Sequence, residues 1–141
     1  TQRYDGYLKA HAACGVKPLD KLRVSTSFDA DEARVQISKL VGGRTKFDGI
    51  FAASDVIAMT AISALMQAGL RVPQDVSVVG FDDIEMARHY HPSLSTIRQP
   101  IDEAGEAMVD ALLDIVAGRK TAPRQLPAML IQRESSQQLS G

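Results

Sequence analysis

The sequence contains no Trp, a single Cys and few aromatic residues of any kind. One thiol, Cys14, cannot form a disulfide within the chain, which favours a reducing, cytoplasmic compartment. Lys and Arg number 16 against 17 Asp and Glu, so the chain lacks the excess of positive charge typical of a nucleic-acid-binding surface. Apolar runs of membrane-spanning length are absent as well. These absences argue against DNA binding by this chain alone and against a membrane protein.

What is present is ordinary for one globular α/β domain. The 141 residues are 45% hydrophobic and 23% charged, and a domain of this length buries roughly two-thirds of its unfolded surface. The chain opens at Thr1 directly into a helical pattern, without an initiator Met, a signal segment or a preceding strand. We therefore expect it to be part of a longer protein.

Segments with helical and with strand periodicity alternate along the chain. Helical spacing of apolar residues, with capping residues and terminal glycines, predicts helices over residues 3–13, 29–41, 55–68 and 101–117. Short β-prone runs predict strands over residues 22–25, 50–53, 76–80 and 126–133, and a polar tail follows from residue 135. This alternation predicts an α/β fold in which helices flank a doubly wound parallel sheet.

Polar residues follow the predicted strands at the positions where such folds bind ligands, outside the carboxyl ends of the strands. A carboxylate of the Asp82–Asp83 pair could accept hydrogen bonds from the hydroxyls of a sugar or the N–H groups of a purine. Each candidate also has a structural interpretation. Ser54 could simply cap a helix, and of the 82–83 pair one carboxylate could cap the following helix while the other is solvated. Phe28 could be core rather than a stacking surface, and Arg3 could be solvated.

Signatures of catalysis are missing from the sequence. His89 and His91 lack the further ligands of a metal site, and Cys14 has no evident base partner. The Gly42–Gly43 pair does not have the spacing of a phosphate-binding loop, and no Gly-x-Ser-x-Gly elbow occurs. We expect no catalytic residue, no metal and no cofactor.

Three blocks of sequence, in order and spacing, resemble the lactose/galactose-repressor (LacI/GalR) family of bacterial transcriptional regulators. They are residues 51–55 (FAASD), 69–83 (GLRVPQDVSVVGFDD) and 92–100 (PSLSTIRQP). The opening at residues 3–7 and the closing at residues 130–133 fit as well, so the resemblance covers almost the whole chain. It identifies the chain as the C-terminal part of an effector-binding domain.

The resemblance implies a periplasmic-binding-protein-like sensor with two subdomains around a cleft, joined in relatives to a helix-turn-helix headpiece that is absent here. Residues 1–98 and 127–135 would form the C-terminal subdomain, and residues 99–126 would belong to the N-terminal one. Arg3 and Asp82 would contact polar groups of the effector, and Phe28 would stack on it. Ser54 would be a further contact, at a position where the family frequently has Asn or Asp.

The function implied is that of a sensor that binds a small effector, a sugar or related metabolite, and allosterically controls binding of operator DNA by the headpiece. The alternative is an extracytoplasmic sugar-binding protein of the same fold, for transport or chemotaxis, and the sequence upstream of Thr1 would distinguish the two. Family members form homodimers through this subdomain. Apolar residues on more than one face of the helix after Asp55 also predict self-association: Val56, Ile57, Met59 and Ile62.

Overall fold

The computed structural model describes residues 2–26 and 29–137 and has an α/β architecture. Within these residues the helices are α1 (Gln2–Ala13), α2 (Ala30–Val41), α3 (Asp55–Gln67), α4 (Glu85–His89) and α5 (Ile101–Val116). Four strands are β1 (Gly49–Phe51), β2 (Ser77–Phe81), β3 (Ser95–Arg98) and β4 (Met129–Ile131). A short 3-10 turn spans Asp20–Leu22. In the described residues, no helix is long and apolar enough to span a bilayer.

The four strands form one sheet in the order β1-β2-β3-β4. Strands β1, β2 and β3 are parallel, with Ile50 opposite Val78 and Gly80 opposite Thr96. Strand β4 is antiparallel to β3, with Leu130 opposite Ile97. The α/β fold predicted from the sequence is confirmed, and the antiparallel β4 is the kind of edge strand that many otherwise parallel sheets carry.

The segment predicted as a strand at residues 22–25 is not one, so that prediction was wrong. Leu22 closes the 3-10 turn, and the residues after it have no strand assignment. Together with β1 they line a groove of about 390 Å³ instead. A β-prone run becomes a strand only when it pairs with a neighbouring strand. In the described residues β1 pairs with β2 alone, so residues 22–25 do not extend the sheet.

The core lies between α3 and the sheet. Ile62, Leu65, Val78 and Leu94 are fully buried there. A second cluster of mostly small side chains joins α2 to α3: Ala33, Ile37, Ala61 and Ala64. Small residues allow the two helices to pack closely, so α2, α3 and the sheet form one packed unit.

Helix α3 uses most of its apolar surface inside the molecule. Ile62 is in the core, and Ile57 and Met59 are partly buried against it. Of the four residues that predicted self-association, only Val56 is exposed, and Met66 further along the helix is exposed as well. The exposed apolar surface of α3 is therefore narrower than its sequence suggests.

The residues after β4 are more than a polar tail. Ser135 is fully buried, its hydroxyl donates to the Val78 carbonyl at 2.7 Å, and it accepts from the Ser95 amide at 2.8 Å. The expectation of a polar tail from residue 135 is wrong for Ser135, because a serine that satisfies both its donor and its acceptor can lie between two strands at little cost. Residues 138–141 of that segment lie outside the described residues.

Candidate functional site

The carboxyl ends of β1 and β2 lie side by side, since the two strands are parallel neighbours. Ser54 follows β1 and Asp82 follows β2. Arg3 reaches this edge from α1: its Nη1 donates to the Ala53 carbonyl at 3.1 Å, and its Nη2 lies 3.8 Å from the Asp82 Oδ1. Three of the four residues expected to contact an effector are thus in one place. The fourth, Phe28, lies outside the described residues.

An aromatic ring that sequence reasoning did not single out belongs to this site. The Arg3 guanidinium lies over the ring of Phe81, with 4.0 Å from its carbon to the ring centroid. A cation on an aromatic face at this distance is attracted by the ring quadrupole. Phe81 is the last residue of β2 and immediately precedes Asp82, so its position in the sequence could have indicated it.

Asp82 has a left-handed backbone conformation, with φ of 111°. Its Oδ1 accepts a hydrogen bond from the Gln99 side-chain amide at 2.7 Å. The side chains of Asp82 and Arg3 are 35% and 37% exposed, so both remain open to a ligand. Gln99 is a second member of the site that sequence reasoning missed; it follows β3, at the same edge of the sheet.

Asp83 is neither solvated nor a helix cap, although those were its two structural interpretations. Its side chain is only 4% exposed and accepts from Arg98 Nε at 2.6 Å and Arg133 Nη2 at 2.7 Å. Burial acts to raise the pKa of Asp83, but the hydrogen bonds and charges of Arg133 and Arg98 outweigh it and hold the pKa below its ordinary value. Asp83 is therefore an ionised structural carboxylate rather than a ligand contact.

Asp55 is a second buried carboxylate, and it supports the turn before α4. It is fully buried, its Oδ2 accepts from the Ile84 amide at 2.9 Å, and Ile84 is the residue before α4. Its Oδ1 accepts from the Thr96 hydroxyl at 2.5 Å. Burial raises the pKa of Asp55, and the hydrogen bonds from Thr96 and Ile84 only partly offset this effect.

Ser54 caps helix α3, as its structural interpretation predicted. Its hydroxyl oxygen accepts from the Ile57 amide at 3.4 Å, and its backbone is extended. The side chain is half-buried at the edge that carries Arg3 and Asp82. Capping occupies one lone pair of the hydroxyl, so the second lone pair and the proton remain available to a ligand.

Metal-binding groups are not part of this site. Throughout residues 2–26 and 29–137, no three His, Cys, Asp or Glu side chains are grouped so that they could hold a metal ion. His89 instead lies 3.5 Å from Glu85 on α4. The site's chemistry is that of hydrogen bonding and stacking: a cation, a carboxylate, a hydroxyl, an amide and an aromatic ring.

Comparison with known proteins shows the family to which the chain belongs. The model of the periplasmic binding protein-like domain family matches residues 1–136. Among curated proteins, the chain is 34% identical over 118 residues to the transcriptional repressor PurR of Edwardsiella ictaluri, covering 84% of the chain and 35% of the relative. It is 36% identical over 114 residues to the transcriptional regulator MalR of Clostridium butyricum, covering 81% and 34%.

Solved structures give the same picture. A complex of the transcriptional regulator CelR with cellobiose superposes with a TM-score of 0.86 at 34% identity, over 95% of this chain and 42% of that one. The lac repressor dimer bound to operator and the anti-inducer ONPF gives a TM-score of 0.87 at 29% identity, over 95% and 46%. Both are regulators rather than enzymes.

The fold and the site at its strand ends define an effector-binding domain of the periplasmic-binding-protein type. The chain belongs to the periplasmic binding protein-like domain family, in its branch of LacI/GalR-type transcriptional regulators. It spans about a third of the length of the curated relatives named above.

Proposed function

We propose that this chain is the part of a LacI-family regulator that contacts a small, hydroxyl-rich effector, and that Arg3, Ser54 and Asp82 make its polar contacts. The Arg3–Asp82 pair supports this proposal most directly. Arg3 Nη2 and Asp82 Oδ1 lie 3.8 Å apart at the carboxyl ends of parallel strands, and both side chains are about one-third exposed. A sugar suits it, since adjacent hydroxyls can donate to a carboxylate and accept from a guanidinium. The cellobiose bound by CelR, a similar regulator, supports this ligand class.

The charge balance of the pair favours a neutral ligand. Arg3 and Asp82 cancel one another, so a phosphate or carboxylate would meet the Asp82 carboxylate as a like charge. The family resemblance proposes Phe28 as a stacking surface for the effector, and Phe81, whose ring lies beneath the Arg3 guanidinium, is proposed as a second aromatic contact. An apolar ring face beside paired polar groups is the usual composition of a small-molecule site.

We also propose that residues 99–126 pack with a second subdomain, while residues 1–98 and 127–135 form the subdomain described here. None of the residues of α5 is buried, and its large apolar residues are exposed. They are Ile101, Met108, Val109, Leu112, Leu113, Ile115 and Val116. An apolar helix surface of this extent requires a cover, which a second wall of the effector cleft would supply.

In the whole regulator, effector binding would control operator DNA through a helix-turn-helix outside this chain, and the sensor would act as a homodimer. The lac repressor, bound as a dimer to its operator, supports both parts of this proposal. With a net charge of -1, the chain lacks the excess of positive charge that is typical of DNA-binding domains.

The test is calorimetric titration of the protein expressed from the complete reading frame that contains this chain. The ligands are cellobiose, a panel of other mono- and disaccharides, and a purine base as the non-sugar comparison. We expect a sugar to bind and Asp82→Ala to weaken it by about ten- to a hundredfold, the value of a hydrogen bond to a charged group. Asp75→Ala, before β2 at the other end of the strand, is the matched control and leaves affinity unchanged.

Two results would contradict the proposal. Binding of the purine but of no sugar would overturn the ligand class. Wild-type affinity in Asp82→Ala would overturn the assignment of the site. We further expect the 141-residue chain alone to bind the same sugar much more weakly, because one wall of a cleft leaves much of the ligand in water.

A further inference from the structure

Asp55 is a buried carboxylate that the proposed effector contacts do not use. It is the first residue of α3, next to Ser54 in sequence, and its side chain is turned away from solvent. Burying a charge is costly unless it is well paired. Asp55 has no cationic partner among its hydrogen bonds, which come from the Ile84 amide and the Thr96 hydroxyl.

Both hydrogen bonds lead to the turn that carries Asp82. The Ile84 amide donates directly to Asp55. The Thr96 oxygen, while its proton is donated to Asp55, accepts from the Asp83 amide at 3.3 Å. The two amides that follow Asp82 are therefore both connected to one carboxylate, one directly and one through Thr96. The Asp82 amide itself is held by the Ile97 carbonyl at 2.9 Å.

This turn needs external support because its backbone is strained. Asp82 and Asp83 have φ angles of 111° and 51°, in the left-handed region that non-glycine residues seldom occupy. Such conformations persist only where surrounding contacts over-determine them, and they cluster at ligand-binding positions. The bonds to Asp55 are the contacts that fix the amides on the far side of Asp82.

Gly80, in β2, leaves the space that the Asp55 carboxylate occupies. A Cβ atom placed there would overlap the Asp55 carboxylate and press on Leu94 and Ala58. Glycine thus allows the carboxylate to lie against β2 and reach the turn beyond it. The close approach ties the start of α3 to the end of β2.

We propose that Asp55 is a positioning residue for the effector site: with Thr96 as a relay, it holds the 82–84 turn so that the Asp82 carboxylate faces Arg3 and Gln99. The inference rests on the proposed function for the role of Asp82 toward an effector. The role of Asp55 in holding the turn does not depend on any ligand. Since Ser54 and Asp55 are consecutive, the start of α3 contributes one residue to the site and one to its support.

The experiment measures amide hydrogen exchange and side-chain amide spectra by NMR on the isotope-labelled chain without effector. The variants are Asp55→Asn, which keeps the shape but replaces one acceptor oxygen with a donor, and Thr96→Val, which removes the relay. Thr96→Ser retains the hydroxyl and is the conservative rescue. Ile62→Val, in the core between α3 and the sheet, is the control for a general loss of stability.

We expect the Ile84 and Asp83 amides in Asp55→Asn to exchange about ten- to a hundredfold faster relative to the Ala52 amide, which reports on the β1–β2 pairing. Thr96→Val should affect the Asp83 amide more than the Ile84 amide, and Thr96→Ser should resemble wild type. The Gln99 side-chain amide, which donates to Asp82, should shift in Asp55→Asn and Thr96→Val. In Ile62→Val all backbone amides should change together, with Gln99 unmoved.

The proposal is overturned if the turn amides in Asp55→Asn change only in step with Ala52, or if the Gln99 signal stays at its wild-type position. Should Asp55→Asn fail to fold, Thr96→Val decides by the same two measurements. The NMR experiment contains no ligand, so its failure would contradict the role of Asp55 without contradicting the proposed sugar binding. Likewise, a failure to bind sugar in the titration would contradict the proposed function without changing the interpretation of these spectra.

Discussion

Asp83 and Arg133 lie 50 positions apart in the chain, and the Asp83 Oδ1 accepts a hydrogen bond from Arg133 Nη2 at 2.7 Å. The same guanidinium donates through Nη1 to the Leu94 carbonyl, also at 2.7 Å. Arg133 therefore connects the residue before β3 and the turn after β2 to the segment that follows β4. The planar fork of an arginine can reach two such acceptors at once, whereas a lysine presents one compact charge.

From this relationship we predict that Arg133→Lys lowers the free energy of unfolding by about 1.5–3 kcal/mol, because one charge-assisted hydrogen bond is lost at a carboxylate that stays buried. Urea unfolding followed by circular dichroism measures the change. Arg119→Lys is the matched control, since the Arg119–Asp114 pair is exposed and should change stability by about 0.5 kcal/mol or less. Equal costs for the two variants would contradict the prediction.

The two buried carboxylates should make the stability depend on pH in opposite directions. The pKa of Asp83 lies below 3.8 in the folded state, so its contribution is present above that pH and is lost as pH falls through the folded value. The pKa of Asp55 is raised above 3.8, so the folded state binds this proton more tightly and stability from Asp55 falls as pH rises above that value.

Urea unfolding of Asp83→Asn and Asp55→Asn at about pH 3 and about pH 7 tests this difference. The cost of Asp83→Asn should be larger at the higher pH, and the cost of Asp55→Asn should be larger at the lower pH. The same direction for both variants would contradict one of the two pKa shifts.

Replacing Gly80 and replacing Gly105 with Ala should change the free energy of unfolding in opposite directions. Gly80→Ala forces a methyl group against the Asp55 carboxylate, and overpacking of this kind costs about 1–3 kcal/mol. Gly105 lies within α5, a Cβ there meets nothing within 4 Å, and alanine in a helix interior should stabilise by about 0.5–1 kcal/mol. Thermal unfolding of both variants gives the comparison, and a neutral Gly80→Ala would show that the start of α3 can move away from β2.

The elements that sequence periodicity predicted well are those whose apolar pattern and caps agree. Helix α2 begins after Asp29, which accepts from the Asp31 and Glu32 amides, and helix α5 spans Ile101–Val116 against an expectation of 101–117. The parallel strands β1 and β2 lie where short β-prone runs were expected. In these segments, local propensity and tertiary packing favour the same structure.

The features that sequence reasoning missed depend on long-range partners. Nothing local distinguishes Asp55 as a buried acceptor from Asp82 as an exposed one, since their roles follow from Thr96, 41 positions away, and from Gln99, 17 positions away. Likewise, Ser135 is buried because Val78 and Ser95 provide its partners. The residues alone left open which carboxylate of the 82–83 pair is structural, whereas the family resemblance named Asp82 as the effector contact.

Self-association is expected to depend on the exposed part of α3. Val56 and Met66 are 45% and 50% exposed. Steps of three or four residues, by way of Met59 and Ser63, connect them along one side of the helix. Changing both to Lys should shift the chain toward monomer in sedimentation velocity, because two charges would enter the contact. Val35→Lys, an equally exposed position on α2, is the control. If Leu112→Lys on α5 reduces association and the α3 variant does not, the contact belongs to α5.

Helices α2 and α3 are capped by different groups, the carboxylate of Asp29 and the hydroxyl of Ser54. The Asp29 Oδ1 accepts from the Asp31 amide at 2.7 Å, whereas the Ser54 hydroxyl accepts from the Ile57 amide at 3.4 Å. Loss of a cap costs about 0.5–2 kcal/mol, and a short bond from a charged acceptor belongs at the upper end of that range. We therefore expect Asp29→Ala to lower the free energy of unfolding more than Ser54→Ala does, in urea titrations near neutral pH. Ser54→Asn, which retains a capping oxygen, should be close to wild type in stability while changing the donors offered to a ligand. If Ser54→Ala is the more destabilising variant, the Ser54 hydroxyl has a structural role beyond its cap, and its assignment as a ligand contact would lose its basis.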